Sequence, residues 1–182
     1  MSKPIELASS RLRLVALTDE LAALQVSDRM GFFKALGVEP EPSWPPELMD
    51  AARIEATRDA LAERPGDAGW YSWVYISPVM HRLLGTGWFM GAPDAAGDVE
   101  IGYSMLTSYR EQGLATEGVN ALMGWAYEDP RVKRILAHTR DDRDAGHRVL
   151  EKAGFVEVER AHDDDRDADI IVWAHERDRL AA

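Results

Sequence analysis

The chain has 182 residues, 46% hydrophobic and 29% charged, the balance of an ordinary soluble globular protein long enough to bury a sizeable core. It contains no cysteine, which excludes disulfides, thiolate nucleophiles and zinc–cysteine sites. The formal net charge of −11 argues against a nucleic-acid partner, because phosphate would be repelled; it agrees with a cationic substrate, although acidity also keeps many proteins soluble.

The opening MSKPIEL lacks the apolar core of a signal sequence, and nowhere do about 18 apolar residues run together. A cytoplasmic enzyme or binding protein is the expectation. Leu7 to Leu14 alternates and reads as a first strand. Thr18 can cap a helix starting at Asp19 or Glu20, with Leu21, Leu24 and Met30 on its buried side. Gly31 to Pro46 reads as irregular, since Pro40, Pro42, Pro45 and Pro46 interrupt regular structure. Pro46 suits the first turn of a second helix over Glu47 to Glu63.

Trp70–Ile76 is rich in aromatic and β-branched residues and reads as a strand. Leu83–Met90 follows as another, and the Gly91–Gly97 turn leads into a central strand. There Val99, Ile101, Tyr103 and Met105 share one side, and Glu100, Gly102 and Ser104 the other. Val119, Leu122, Met123 and Ala126 then recur at helical spacing. Val132–Thr139 reads as a strand, Asp144–Ala153 as a helix closed by Gly154, and Phe155–Glu159 with Ile170–Ala174 as a last hairpin. The order β-α-α-β-β-β-α-β-α-β-β makes a mixed α/β fold.

Strand, short glycine-bearing loop and helix start form an arrangement suited to an anion, because the first helical turn has unpaired N–H groups and the positive end of the helix dipole. The loop lacks the Gly-Lys-Ser/Thr of a P-loop and the three glycines of a dinucleotide fingerprint. Arg110-x-x-Gly113-x-Ala115 after a strand instead resembles the acyl-CoA pyrophosphate loop of the GNAT superfamily of N-acetyltransferases. Ile101-Gly102-Tyr103, Tyr109-Arg110, Ala115-Thr116-Glu117, the opening Arg11-Leu12-Arg13-Leu14 and the closing Asp169–Ala174 with Arg177 are similar to its ribosomal-protein-alanine N-terminal acetyltransferase branch. The resemblance therefore covers essentially the whole chain.

It implies a single N-acetyltransferase domain over residues 1–182, with a mixed, mostly antiparallel central sheet flanked by helices. The acyl-CoA loop would lie between the fourth strand and the third helix. Acetyl-CoA would be a co-substrate, and no metal is expected. The resemblance assigns pyrophosphate binding to Arg110, Glu111, Gln112, Gly113, Leu114, Ala115 and Thr116, chiefly through backbone N–H groups. It assigns the pantetheine arm to Met105 and Leu106, with a backbone N–H near Met105 as oxyanion donor. The expected partners are acetyl-CoA and an amine acceptor, without nucleic acid or membrane; a homodimer is left open.

Acetyl transfer to an amine also needs a proton acceptor. Glu100 is the only carboxylate inside the central strand and sits on the side away from its apolar run. It is the candidate base, or else a solvent-facing glutamate. A free α-amine is about a tenth neutral at pH 7 and needs less help than a lysine. The family's usual Asn falls at Arg143 and its usual Ser, a candidate proton donor to the leaving thiolate, at Gly146; Leu150 stands where many members carry a tyrosine. His147 beside the vacant position is either a substitute or a helix-surface histidine.

His162-Asp163-Asp164-Asp165 reads as a solvated hairpin loop rather than a metal site, and His81, His138 and His175 have no ligand spacing. Trp70, Trp73, Trp88 and Trp125 are expected mostly in the core. Trp44, with Phe32 and Phe33, is expected to wall an acceptor groove. Two further readings stand beside the enzyme: a non-catalytic acyl-CoA-binding or regulatory domain, and a nucleotide-binding module.

Overall fold

The computed structural model describes residues 2–177. Eight strands run β1 (Glu6–Ala8), β2 (Arg13–Ala16), β3 (Ser72–Ser77), β4 (Arg82–Phe89), β5 (Asp98–Met105), β6 (Arg134–Arg140), β7 (Val156–Asp163) and β8 (Ala168–Glu176). Five α-helices are α1 (Asp19–Ser27), α2 (Arg29–Leu36), α3 (Ala51–Glu63), α4 (Leu114–Glu128) and α5 (Asp144–Lys152). The strands form one sheet in the order β1-β2-β3-β4-β5-β6-β8-β7. Every neighbouring pair is antiparallel except β5 with β6. This is the mixed, mostly antiparallel sheet expected from the sequence.

Strand alternation divides the core between the two faces of the sheet. Leu14, Trp73, Tyr75, Ile101 and Met105 pack on one side with Val119, Leu122 and Ala126 of α4 and Leu150 of α5. Val15, Val74, Ile76 and Leu83 pack on the other with Leu21 of α1, Phe32, Phe33 and Leu36 of α2, and Leu61 of α3. With helices over both faces, β3 is buried along its whole length.

Several boundaries differ from the sequence reading. The single strand Leu7–Leu14 is two strands, paired Ala8 to Arg13, because the Ser9 N–H closes a turn on the Leu12 carbonyl at 2.9 Å. The first part of the supposedly irregular Gly31–Pro46 is helix α2. Asp28 caps it by accepting from the Gly31 N–H at 2.9 Å, and Gly37 ends it at φ 69°. The next helix starts at Ala51 rather than Glu47, because Asp50 accepts the Arg53 N–H. Met30 is exposed, not buried. The final hairpin is longer than expected, with β7 starting at Val156 but running on to Asp163 and β8 extending from Ala168 to Glu176. With one strand and one helix more than counted, the glycine loop lies between the fifth strand and the fourth helix.

Candidate active site

β5 and β6 share only three paired positions, Asp98–Arg134, Val99–Ile135 and Glu100–Leu136, although each strand continues for four or five residues more. Beyond Glu100 the two strands part. Met90 donates its N–H to the Glu100 carbonyl, and Leu106 donates to Leu84. The even-numbered residues of β5 therefore bond β4. Antiparallel alternation turns the backbone N–H groups of Tyr103 and Met105 the other way, into the split. Leu106, expected to share the pantetheine arm, spends its N–H on Leu84 at 2.9 Å, and its side chain is buried.

The split ends at the glycine loop. Gly113 adopts φ 77° as the N-cap residue of α4, and no side chain caps that helix. The N–H groups of Leu114, Ala115 and Thr116 thus open the helix at the end of the split, where a diphosphate would meet the positive end of the dipole. Glu111 takes a left-handed φ of 60°. Gln112 folds its side-chain amide back onto the Ser108 carbonyl at 3.2 Å. Arg110 bonds the Met105 carbonyl at 3.3 Å and pairs with Glu47 at 3.2 Å. Glu47 also pairs with Arg143 at 3.4 Å, so it joins the far ends of both parting strands. Those two guanidiniums, Arg143 foremost, hold the Glu47 carboxyl below its ordinary pKa.

Arg11, read from the sequence only as part of the opening strand motif, is a second cation at this loop. Glu117 in the first turn of α4 accepts from the Arg11 N–H at 2.6 Å, from its Nε at 2.8 Å and from the Ser9 hydroxyl at 2.6 Å. Arg11 then donates to the Gln112 carbonyl at 2.8 Å, and its guanidinium lies 3.4 Å from where a Cβ on Gly113 would be. Burial works to raise the Glu117 pKa, but the bonds from Ser9 and Arg11 outweigh it and leave the carboxylate below its usual range. Only the contact across 106 positions reveals this role.

Glu100, Gly102 and Ser104 share the α3 side of the sheet, away from the Ile101 and Met105 side as expected, and Ser104 is buried there. The Trp88 indole fills the space over Gly102, and the Arg53 guanidinium stacks on it at 4.5 Å. Ser104 accepts the Leu48 N–H at 3.3 Å. Glu100 is not isolated: its carboxylate lies 2.9 Å from Nδ1 of His138, on β6 just past the last paired position. The hydrogen bond to Glu100 raises the His138 pKa, against the opposing effect of burial. The sequence reading left His138 without a role.

His147 places Nε2 at 2.9 Å from the Arg140 carbonyl and its ring against Trp173, with ring centroids 5.6 Å apart. The side chain that faces the vacant serine position is Tyr103. A Cβ at Gly146 would lie 3.7 Å from the Tyr103 hydroxyl, which donates to the Gly146 carbonyl at 2.8 Å. Burial pushes the Tyr103 pKa up. Phe32, Phe33 and Trp44 do not wall a groove: all three are buried in the core under α2. The exposed apolar groups near Arg53 are Leu48 and Met90. His162 bonds Asp169 across the hairpin at 2.9 Å, and among the described residues no cluster of His, Asp or Glu is suited to a metal.

A parted strand pair leading to an uncapped, glycine-led helix start defines the class, and comparison with known proteins agrees. The model of the acetyltransferase (GNAT) domain matches residues 11–156. The uncharacterized N-acetyltransferase YjdG of Bacillus subtilis strain 168 is 31% identical over 150 residues, 82% of this chain and 89% of that protein. The chain belongs to the GNAT acetyltransferase family. Its fold is shared by the ribosomal-protein-S5-alanine acetyltransferase of Vibrio fischeri, at a TM-score of 0.70 and 16% identity over 96% of this chain and 97% of that one. RimJ of Mycobacterium smegmatis, solved in complex with CoA-disulfide, matches at 0.66 and 17% over 98% and 90%. At these identities the likeness is one of fold.

Proposed function

We propose that the protein, read as one N-acetyltransferase domain over residues 1–182, moves an acetyl group from acetyl-CoA to a primary amine by direct attack. The observation that carries this reading is the split between β5 and β6. It turns the Tyr103 and Met105 N–H groups toward the line a pantetheine arm would follow and ends at the open N-terminus of α4. The pyrophosphate would sit on the N–H groups of Gly113 to Thr116, with Arg110 and Arg11 supplying charge. The thioester would then lie beside Met105, whose N–H would meet the carbonyl oxygen as it becomes negative. The amine would approach from the side of Glu100 and Ser104.

Attack forms the C–N bond and expels CoA as a thiolate, which must gain a proton. With glycine at position 146, the Tyr103 hydroxyl is the group best placed to supply it. The acceptor we favour is an α-amine on a peptide or small molecule, because a partly neutral amine needs little activation. The test is to add acetyl-CoA to the protein with a panel of amines and peptides, following thermal stability and release of CoA thiol. Stabilisation with thiol release supports the enzyme. Stabilisation without release by any amine leaves a non-catalytic acyl-CoA-binding domain, and stabilisation by ATP alone leaves a nucleotide-binding module.

A further inference from the structure

Glu100, the candidate base of the sequence reading, has a partner in His138 on β6. We propose that the proton acceptor for the attacking amine is His138, through its Nε2, and that Glu100 is a positioning residue that holds the imidazole through Nδ1. This deepens the acetyltransferase reading and rests on it.

Three observations support the assignment. The first is placement. Glu100 and Leu136 are the last paired residues of β5 and β6, and His138 follows two positions later on the same face, at the point where the split opens. The parallel register therefore brings two side chains 38 positions apart into contact at the base of the split, at 2.9 Å. The second is geometry. The carboxylate contact is to Nδ1, which makes Nδ1 the protonated nitrogen in the neutral ring and leaves Nε2 as the lone-pair site. No described residue bonds Nε2, and the side chain is 40% exposed, so an incoming amine can reach it. The third is the match of chemistry to task. Carboxylates titrate near 4 and imidazoles near 6.5, and a general base works best when its pKa lies close to the operating pH. An imidazole held by a carboxylate is the better acceptor of the two.

The charged groups facing His138 come from three elements. Glu100 on β5 and Glu159 on β7 raise its affinity for a proton, and Arg166 in the β7–β8 hairpin lowers it. The acidic groups prevail, so the ring titrates above its ordinary 6.5.

The proton balance closes. The acceptor arrives as an ammonium and gives one proton to Nε2 of His138. The neutral nitrogen attacks the thioester carbon, the C–N bond forms and the C–S bond breaks. The second nitrogen-bound proton is lost as the amide forms, and the thiolate gains one to become CoA thiol. His138 then passes its proton to solvent, for a net release of one proton per turnover.

The experiment measures kcat/KM by thiol release across pH 5 to about 9 for the wild type, His138→Gln and Glu100→Gln, with acetyl-CoA affinity measured separately and the His138 ring followed by NMR titration. In the wild type the rate should fall on the acid side with the same pKa as the ring. His138→Gln should lose at least tenfold near neutral pH and lose that acid limb. Glu100→Gln should keep the limb, shifted to lower pH together with the ring titration, with a smaller loss. Acetyl-CoA affinity should be unchanged in both. If His138→Gln keeps the wild-type limb while Glu100→Gln is the more damaged, Glu100 is itself the base and the proposal fails. Wild-type rates in both variants would make the pair a structural clamp and would also overturn it. A wild type that binds acetyl-CoA but acetylates no amine defeats the enzyme reading itself, a result separable from either of these.

Discussion

Tyr103 shows how a single hydroxyl can be read from its surroundings. Its phenol crosses from β5 to the α5 backbone and occupies the neighbourhood of the side chain that Gly146 lacks. Burial disfavours the phenolate, so the group acts as a donor rather than as a base. If it protonates the departing thiolate, Tyr103→Phe should lower kcat by about a hundredfold, the low end of the range for general acid catalysis, while the KM for acetyl-CoA stays the same. An unchanged kcat would assign that proton to solvent. His147 carries less of the argument, because its Nε2 already meets the Arg140 carbonyl. At this scale the sequence was only partly legible. The face of Glu100 followed from simple alternation, but its partner on β6 did not, since the parallel register that joins them leaves no local signal. Arg11 was hidden in the same way behind its contact with Glu117.

The loop between β5 and α4 was the most legible element. Strand alternation, a glycine and then helical spacing are local patterns, and Gly113 sits where its backbone needs a left-handed φ. A side chain there is strained by that φ and also projects toward Arg11. Gly113→Val should therefore abolish acetyl-CoA binding as measured by calorimetry, provided circular dichroism shows a folded protein. Unaltered affinity in a folded variant would remove the diphosphate from this loop. Helix α2 was the least legible element. Gly31 and the run of prolines pointed to irregular chain, yet Asp28 closes α1 and caps α2 at once, and Phe32, Phe33 and Leu36 are buried. The expected acceptor wall of Phe32, Phe33 and Trp44 is therefore core, and the groups gathered beside Arg53 on that face are instead Leu48, Trp88 and Met90, brought there by long-range contacts. Glu47 was read as the start of a helix, but it is drawn instead to Arg110 and Arg143.

Across the whole molecule, a fold with this many carboxylates on cationic partners should be sensitive to acid. The bond from Arg134 lowers the Asp98 pKa at the start of the β5–β6 pairing, and Arg13 does the same for Glu6 on β1. A carboxylate whose folded pKa is depressed binds fewer protons folded than unfolded. Its contribution is present above the unfolded values of 3.8 and 4.5 and is lost as pH falls through the lower folded values. The pairs are partly exposed, so each is worth at most about 1 kcal/mol. The melting temperature should hold from pH 7 to about 5 and then fall, and Asp98→Asn should flatten that fall. A melting temperature that climbs as pH drops below 4 would contradict this assignment.

The net charge of −11 favours ammonium-bearing acceptors at long range, an effect that salt weakens. The catalytic groups proposed here are few. The most direct measurement of the central claim is therefore a paired assay with acetyl-CoA and two versions of one peptide. One has a free N-terminus, and the other has a blocked N-terminus and an internal lysine. Thiol release and acetylated peptide are quantified together. We expect equal amounts of thiol and acetylated product, formed faster from the peptide with the free N-terminus. Faster reaction of the blocked lysine peptide would overturn the α-amine assignment, and acetyl-CoA binding with no product from any amine would overturn the acetyltransferase itself.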